Sequence, residues 1–414
     1  MSQSLLPFQV DYASHPGFAP HLAWDARQDA AIDEAADILN KLLGDLESAL
    51  TMKRLTLPEA VGVVNEALRP VMDILLAGNA AHAAQFRPFL ERFYLETVRV
   101  IVDDLAYFER RNSYVPVINN AAEMALRNEL GVKGFLRWSL QPDELAALRR
   151  QLKRYLDALE TRHQQGGRTR EALSINDIDP ESVALLSDMF QRRGLNKAVS
   201  DVRHEKTQVS GFAVEISPDD NDWWHSRYED VGLTAPARAA YFHSDESRDV
   251  FKAIVYLDDV SDELGPFGFI PASFAAARPR LEWAVARANL TALASPEIKK
   301  TLPDVHPTRG VFTSRGARRL FGMLPPRFRL NSHFGFDVLD DSDLCQSLLG
   351  QEVKVVAPAG HVIVFDGSRV VHRGGLVRRG RRAALQVVFD VAKENGSKFY
   401  RHLTAAQGGP AHVG

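Results

Sequence analysis

The feature that most constrains this chain is a stretch of three short apolar runs with polar residues at their ends, between Tyr241 and Ser273. The first run ends in a His-Ser-Asp triplet that contains His243 and Asp245. A longer apolar run follows, and a Gly-Pro turn leads into the third. Runs of this length, bounded by turn residues, predict short β-strands. The stretch therefore predicts a β-rich core with two potential metal ligands at the mouth of its first strand.

A second strand-rich stretch lies downstream, at 361–390, where one strand ends at His372 and Arg382 opens the next. Two histidines and one carboxylate can hold a transition metal on one face and leave its other coordination positions open. We therefore interpret His243, Asp245 and His372 as metal ligands. An arginine beyond the second histidine provides the planar donor pair that binds a carboxylate, so Arg382 is interpreted as a carboxylate clamp.

The alternative for these residues is a surface histidine, a turn aspartate and a core histidine that share no site. A His-x-Asp triplet by itself is weak evidence, because a chain with thirteen histidines is expected to contain about one by chance. The order of the surrounding elements is more specific. A strand with the triplet is followed by two strands joined by a Gly-Pro turn, a strand that ends in histidine, and a strand that begins with arginine.

This arrangement resembles the phytanoyl-CoA dioxygenase-like family of Fe(II)/2-oxoglutarate-dependent oxygenases over about residues 129–395. The matching segments are HSD at 243–245, FKAIVYLDDV at 251–260, GPFGFIPAS at 265–273, HRGG with the following Arg-Arg pair at 372–382, and GVKGFLRWSLQPDELAALRRQL at 131–152. The chain departs from the family at Phe274, where a histidine often stands. This departure affects a local substrate contact and leaves the proposed metal ligands in place.

The resemblance implies an α+β fold with a double-stranded β-helix (a jelly-roll, cupin-like barrel) at 129–414. It also implies Fe(II), 2-oxoglutarate and O2, with hydroxylation of an unactivated carbon of a small-molecule metabolite and release of succinate and CO2. Because a carboxylate is present at Asp245, hydroxylation, desaturation or cyclisation is favoured over halogenation. Lys252 and Tyr256, on one face of the second strand, are candidates to line the co-substrate pocket; the alternative is a rim lysine and a core tyrosine.

Helical periodicity distinguishes the N-terminal part, residues 1–128, which we interpret as a helical domain or cap. Apolar residues recur every seven positions at Ile32, Leu39 and Leu46, which predicts an amphipathic helix from Ala26. Packing in a bundle is favoured, and a homodimer seam is the alternative. Further helices are predicted at 58–76, 86–108 and 119–130.

Two segments of the second domain are candidates to contact the substrate. The polar loop before the triplet carries Trp223 and Trp224, which could wall a pocket or fill the end of the barrel. Arg373 directly follows the second histidine. The insertion at about 275–350 leaves the strand pattern, and loops of this length often form a lid.

Composition excludes several classes of function. A net charge of −3 provides no general attraction to nucleic acid or to an anionic membrane. The single cysteine excludes an internal disulfide and fits a reducing cytoplasm. No membrane span or signal peptide is recognised, so a cytoplasmic protein is expected. Two other functions stay open: a cupin-like metalloenzyme that does not use 2-oxoglutarate, and a non-catalytic binding protein on the same fold.

Overall fold

The computed structural model describes residues 24–77, scattered helical positions between 94 and 109, 114–219 without 168 and 175–179, 242–245, 251–271, and 343–391 without 368. Trp223, Trp224 and most of the insertion at 275–350 lie outside the described residues. The described chain divides into two compact units, one that contains its residues up to 109 and one that begins at Tyr114. The predicted domain boundary at residue 128 stays a prediction.

The first unit contains helices α1 (Ala26–Thr51) and α2 (Leu57–Ala77), which confirms the two predicted helices. A capping box begins α1, because Asp25 Oδ1 accepts from the Gln28 amide at 2.8 Å and Gln28 Oε1 accepts from the Asp25 amide at 3.0 Å. The heptad residues Ile32, Leu39 and Leu46 are buried against α2 and the helical positions after 94. Their apolar stripe is therefore covered within one chain.

The second unit begins with helix α3 (Ala121–Lys133), followed by strand β1 (Phe135–Ser139). A helix was predicted at 119–130, and its predicted end was wrong, because the helix continues to Lys133. Gly134 ends the helix in a left-handed conformation with φ 76° and donates its amide to Leu130 O. Gly131 stays inside the helix.

The remaining helices of the second unit are α4 (Pro142–Gln164), α5 (Pro180–Gln191), α6 (Leu195–Arg203) and α7 (Asp343–Gln351). Residues of α4, α5 and α6 share one hydrophobic core with the larger sheet. No helix in the described ranges is long and apolar enough to cross a membrane.

Two antiparallel sheets form the β-structure of the second unit. A six-stranded sheet has the order β1-β7-β4-β9-β3-β2, and a three-stranded sheet has the order β6-β5-β8. The strands after β1 are β2 (Arg170–Ser174), β3 (Thr207–Pro218), β4 (Phe251–Tyr256), β5 (Gly268–Phe269), β6 (Val353–Lys354), β7 (His361–Asp366), β8 (His372–Arg373) and β9 (Arg381–Val391). The fold is therefore a mixed helix and antiparallel-sheet fold, with its strands near the predicted positions.

The two faces of the large sheet have different neighbours, because side chains alternate along a strand. On β4, Phe251, Ala253 and Val255 pack into a core that contains leucines of α4 and residues of α5 and α6. Tyr256 belongs to a second core with Phe267 and Phe269 of the smaller sheet. The second face, toward the smaller sheet, is the face that carries the candidate site.

Candidate metal centre

Backbone hydrogen bonds bring the three predicted ligands together. His243 and His372 form an antiparallel bridge, in which the His243 amide donates to His372 O at 2.9 Å and the His372 amide donates to His243 O at 2.7 Å. The Asp245 amide donates to Gly367 O at 2.6 Å, in the turn after β7. Residues far apart in sequence are thus fixed at neighbouring strand ends.

The ligand atoms converge on one position. His243 Nε2 lies 3.9 Å from Asp245 Oδ1, and His372 Nε2 lies 4.0 Å from Asp245 Oδ2. One ligand atom from each residue can be chosen so that all three lie within 4.8 Å of one another. The two imidazole rings are 4.4 Å apart between centroids. These three residues form a group that can hold a metal ion.

His372 is held in the tautomer that a metal requires. Its Nδ1 lies 2.8 Å from Val370 O, which makes Nδ1 the protonated nitrogen and leaves the Nε2 lone pair available. Burial, with repulsion from His243, lowers the pKa of His372 to about 3. The ring packs against Phe365, with centroids 4.6 Å apart, and Phe267, at 5.8 Å. A neutral, oriented imidazole is the form that binds a cation.

Asp245 is ionised at neutral pH. Burial raises its pKa, but the ammonium group of Lys252, with smaller contributions from the two neighbouring imidazoles, outweighs burial and holds the pKa at about 2. Lys252 Nζ donates to Asp245 Oδ1 at 2.6 Å. Asp245 Oδ2 is buried and has no hydrogen-bond partner among the residues that the structure describes. A buried carboxylate oxygen without a donor is a position suited to a cation.

Arg382 is buried at the start of β9, with 6% of its surface exposed. Its guanidinium donates to Gly265 O through Nη1 and to Ser217 Oγ through Nη2, the latter at 3.2 Å. Glu215 Oε1 lies 3.5 Å from Nη2. Within the described part of the chain, Nε is buried without an acceptor. The Nε–H is thus available to a ligand, beside a carboxylate of the protein itself.

A glycine lies beside Arg382 in the segment that follows the second histidine. Gly374 is two residues beyond His372, and a Cβ built on it would meet Arg382 Nη2 at 4.0 Å and no nearer atom. The guanidinium is therefore approached on this side by backbone without a side chain. Arg381 faces the other way, half-exposed in an ion pair with Glu160, as strand alternation predicts.

Two other predicted site residues, Tyr256 and Arg373, have polar atoms that are hydrogen-bonded to other residues of the protein. The Tyr256 hydroxyl donates to Val355 O at 2.9 Å and accepts from the Phe267 amide at 2.8 Å, in a fully buried position. Arg373 donates through Nε and Nη2 to the two carboxylate oxygens of Glu352, at 2.8 and 2.7 Å. Its guanidinium also lies 4.0 Å from the centroid of the Phe242 ring.

Lys252, which was predicted to line the co-substrate pocket, lies at the candidate metal centre, where its ammonium group donates to the carboxylate of Asp245. Glu215 was not predicted as a site residue. Its one signal in the sequence is its position as a lone acid within the apolar run of β3, FAVEI at 212–216, since charged residues rarely occur there without a partner.

No protein-family model matches the sequence, and no curated protein matches it either. Several solved structures do. AviO1 from Streptomyces viridochromogenes Tue57 is 15% identical, with 66% of this chain and 96% of that chain covered and a TM-score of 0.33. EctD from S. alaskensis, crystallised with 2-oxoglutarate and 5-hydroxyectoine, is 14% identical over 66% of this chain and 79% of that chain, with a TM-score of 0.38.

HygX from Streptomyces hygroscopicus, with nickel and 2-oxoglutarate bound, is 14% identical over 66% of this chain and 88% of that chain, with a TM-score of 0.35. At these identities and TM-scores the superpositions are too loose to transfer a function or a residue role to this chain.

Proposed function

We propose that this chain is an Fe(II)- and 2-oxoglutarate-dependent oxygenase. The observation that carries the proposal is the convergence of His243, Asp245 and His372, with ligand atoms within 4.8 Å of one another. The buried Arg382, whose guanidinium lies beside Gly374 two residues after His372, adds the cation that a dicarboxylate co-substrate requires. The resemblance of the sequence motifs to the phytanoyl-CoA dioxygenase-like family supports the same assignment.

The order in which the chain visits the two sheets supports a double-stranded β-helix for the core. From β3 in the large sheet the chain passes to His243, bridged to β8 of the smaller sheet, and back to β4 in the large one. It then passes to β5 and β6, to β7, to β8 and to β9, again between the two sheets. Such alternation between facing sheets builds a jelly roll, in which ligands distant in sequence meet at one mouth.

The donor set fits a divalent transition metal. Two imidazoles and one carboxylate are the ligands of the facial triad of non-haem iron sites. His372 is neutral with Nε2 available, and Asp245 is ionised with Oδ2 unpaired in the described structure. His372 and Asp245 would thus hold the metal without a change of protonation at neutral pH.

Arg382 would hold the distal carboxylate of 2-oxoglutarate. Its side chain is buried with its Nε–H lacking an acceptor in the described region, and Gly374, two residues beyond His372, lies beside its guanidinium. Charge-assisted hydrogen bonds from an arginine fix a carboxylate in position as well as orientation. Bound together, Fe(II) and 2-oxoglutarate supply an O2-dependent oxidation of a C–H bond, coupled to decarboxylation of the co-substrate to succinate.

The protein's own contribution is to orient the ligands and to exclude water. The Val370 carbonyl fixes the tautomer of His372, and the rings of Phe365 and Phe267 cover that imidazole. An apolar wall of this kind strengthens charge interactions inside the site. We propose hydroxylation of a small-molecule metabolite as the outcome, because Asp245 occupies the position that a halide would need.

The test is an anaerobic titration of metal-free protein with Fe(II) and 2-oxoglutarate, monitored by the visible charge-transfer absorption of the iron–oxoglutarate chelate. The wild-type protein is expected to develop the band, Asp245→Ala to lose it, and Arg382→Ala to need more 2-oxoglutarate. Arg381→Ala is the matched control, because Arg381 faces away from the site. Iron binding without a band would instead indicate a cupin-like metalloenzyme that does not use 2-oxoglutarate. No iron binding would refute the metal site.

A further inference from the structure

Lys252 is a partly buried cation at the candidate centre, and its ammonium group contacts Asp245 instead of lining the co-substrate pocket as the sequence predicts. It lies on β4, where Phe365 of β7 and Val388 of β9 are its partners in the sheet. Its ammonium group contacts Asp245 at 2.6 Å, and the two side chains are only 18% and 13% exposed. A lysine in mid-sheet, with strands on both sides, has little freedom to leave this partner.

The contact makes the two oxygens of Asp245 unequal. Oδ1 accepts from the ammonium group, whereas Oδ2 has no hydrogen-bond partner in the described part of the chain and lies 4.0 Å from His372 Nε2. A metal bound through both oxygens would share Oδ1 with the ammonium group. Two cations on one oxygen repel each other at short range in a buried site. Coordination through Oδ2 alone avoids that repulsion.

We propose that Lys252 is a positioning residue that engages Oδ1 and so restricts Asp245 to single-oxygen coordination of the metal. The inference rests on the proposed function, since it concerns the same metal site. With one atom from each of three residues, a six-coordinate metal keeps three positions open for exogenous ligands. If Asp245 chelated the metal through both oxygens, only two coordination positions would remain open. Lys252 thereby preserves the position that a third exogenous ligand requires.

The test counts open positions with Mn(II) alone, without 2-oxoglutarate or substrate. The paramagnetic relaxation of water protons by saturated Mn(II)-protein is proportional to the number of waters on the metal. Lys252→Met is expected to lower the relaxivity per bound Mn(II) by about one third, from three waters to two. Lys252→Arg keeps a donor for Oδ1 and is expected to retain the wild-type value.

Lys153→Met is the matched control. It removes a Lys–Asp pair of the same 2.6 Å length on an exposed helix face, and no change in relaxivity is expected. Equal relaxivity in wild type and Lys252→Met would overturn the inference while leaving the metal site intact. Failure of the wild type to bind Mn(II) would overturn both.

A measurement on the wild type alone tests the inference even if Lys252→Met does not fold. In a crystal structure of the Mn(II)-loaded protein, we expect Asp245 Oδ2 on the metal and Lys252 Nζ on Oδ1. Both carboxylate oxygens on the metal, with the ammonium group displaced, would overturn the inference.

Discussion

Replacement of Asp245 by asparagine gives the most quantitative test of the charges at the centre. In the metal-free protein the pKa of Asp245 is about 2, against an ordinary value of 3.8. The difference, at about 1.4 kcal/mol per pKa unit, corresponds to about 2 kcal/mol of folding free energy. Because the folded pKa is lower than the unfolded one, this stability is present above pH 3.8 and is lost as the pH falls toward 2.

The assay is urea unfolding of chelator-treated protein at several pH values between 6 and 3. Asp245→Asn leaves Lys252 without its anion, which adds a constant offset because the lysine stays charged over this range. It also removes the carboxylate that raises the pKa of His372, which opposes part of the change near pH 3. The stability advantage of the wild type over Asp245→Asn is therefore expected to shrink by up to about 1 kcal/mol from pH 6 to pH 3. Asp157→Asn, which removes the exposed Lys153–Asp157 pair, is expected to have little effect at either pH. A difference between wild type and Asp245→Asn that does not change with pH would refute the reasoning.

Three further predictions concern neighbouring residues. Glu215→Gln removes a negative charge 3.5 Å from Arg382, so 2-oxoglutarate is expected to bind the metal-loaded variant more tightly in calorimetry; weaker binding would show that Glu215 positions the arginine instead. Gly374→Ala adds a methyl group at ordinary contact distance from the Arg382 guanidinium, so the affinity for 2-oxoglutarate is expected to fall. Metal affinity and thermal stability are expected to stay unchanged. Unchanged co-substrate binding would show that 2-oxoglutarate does not use the space beside Gly374. Tyr256→Phe leaves the Phe267 amide without its acceptor and is expected to lower the free energy of unfolding by about 1–3 kcal/mol in urea. Binding of 2-oxoglutarate is expected to stay unaltered. Loss of that binding in a stable variant would show that Tyr256 lines the co-substrate pocket.

The grouping of His243, Asp245 and His372 was predictable because their chemistry and their places at strand ends are both visible in the sequence. His243 and His372 close apolar runs, and in the structure those runs meet in one antiparallel bridge. Strand alternation also separates Arg381 from Arg382 before any coordinates are known. At these positions, residue type and the two-residue alternation of a strand were sufficient for the prediction.

The partners of the remaining polar residues were not predictable, because they come from distant parts of the chain. Arg373 follows a candidate ligand directly, but its guanidinium donates to Glu352, which lies just before β6. Lys252 faces the site as expected, yet only the bridge between the histidines brings Asp245 within its reach. Likewise, the sequence shows that a glycine ends α3 but not that Gly134, rather than Gly131, adopts the left-handed conformation.

The central claim is that metal and carboxylate clamp form one composite site, and calorimetry of 2-oxoglutarate binding tests it most directly. The protein is titrated with 2-oxoglutarate once metal-free and once loaded with Mn(II). Binding is expected only in the Mn(II)-loaded protein, because the co-substrate needs the metal at one end and Arg382 at the other. Equal binding to both forms, or no binding to the loaded form, would contradict the account.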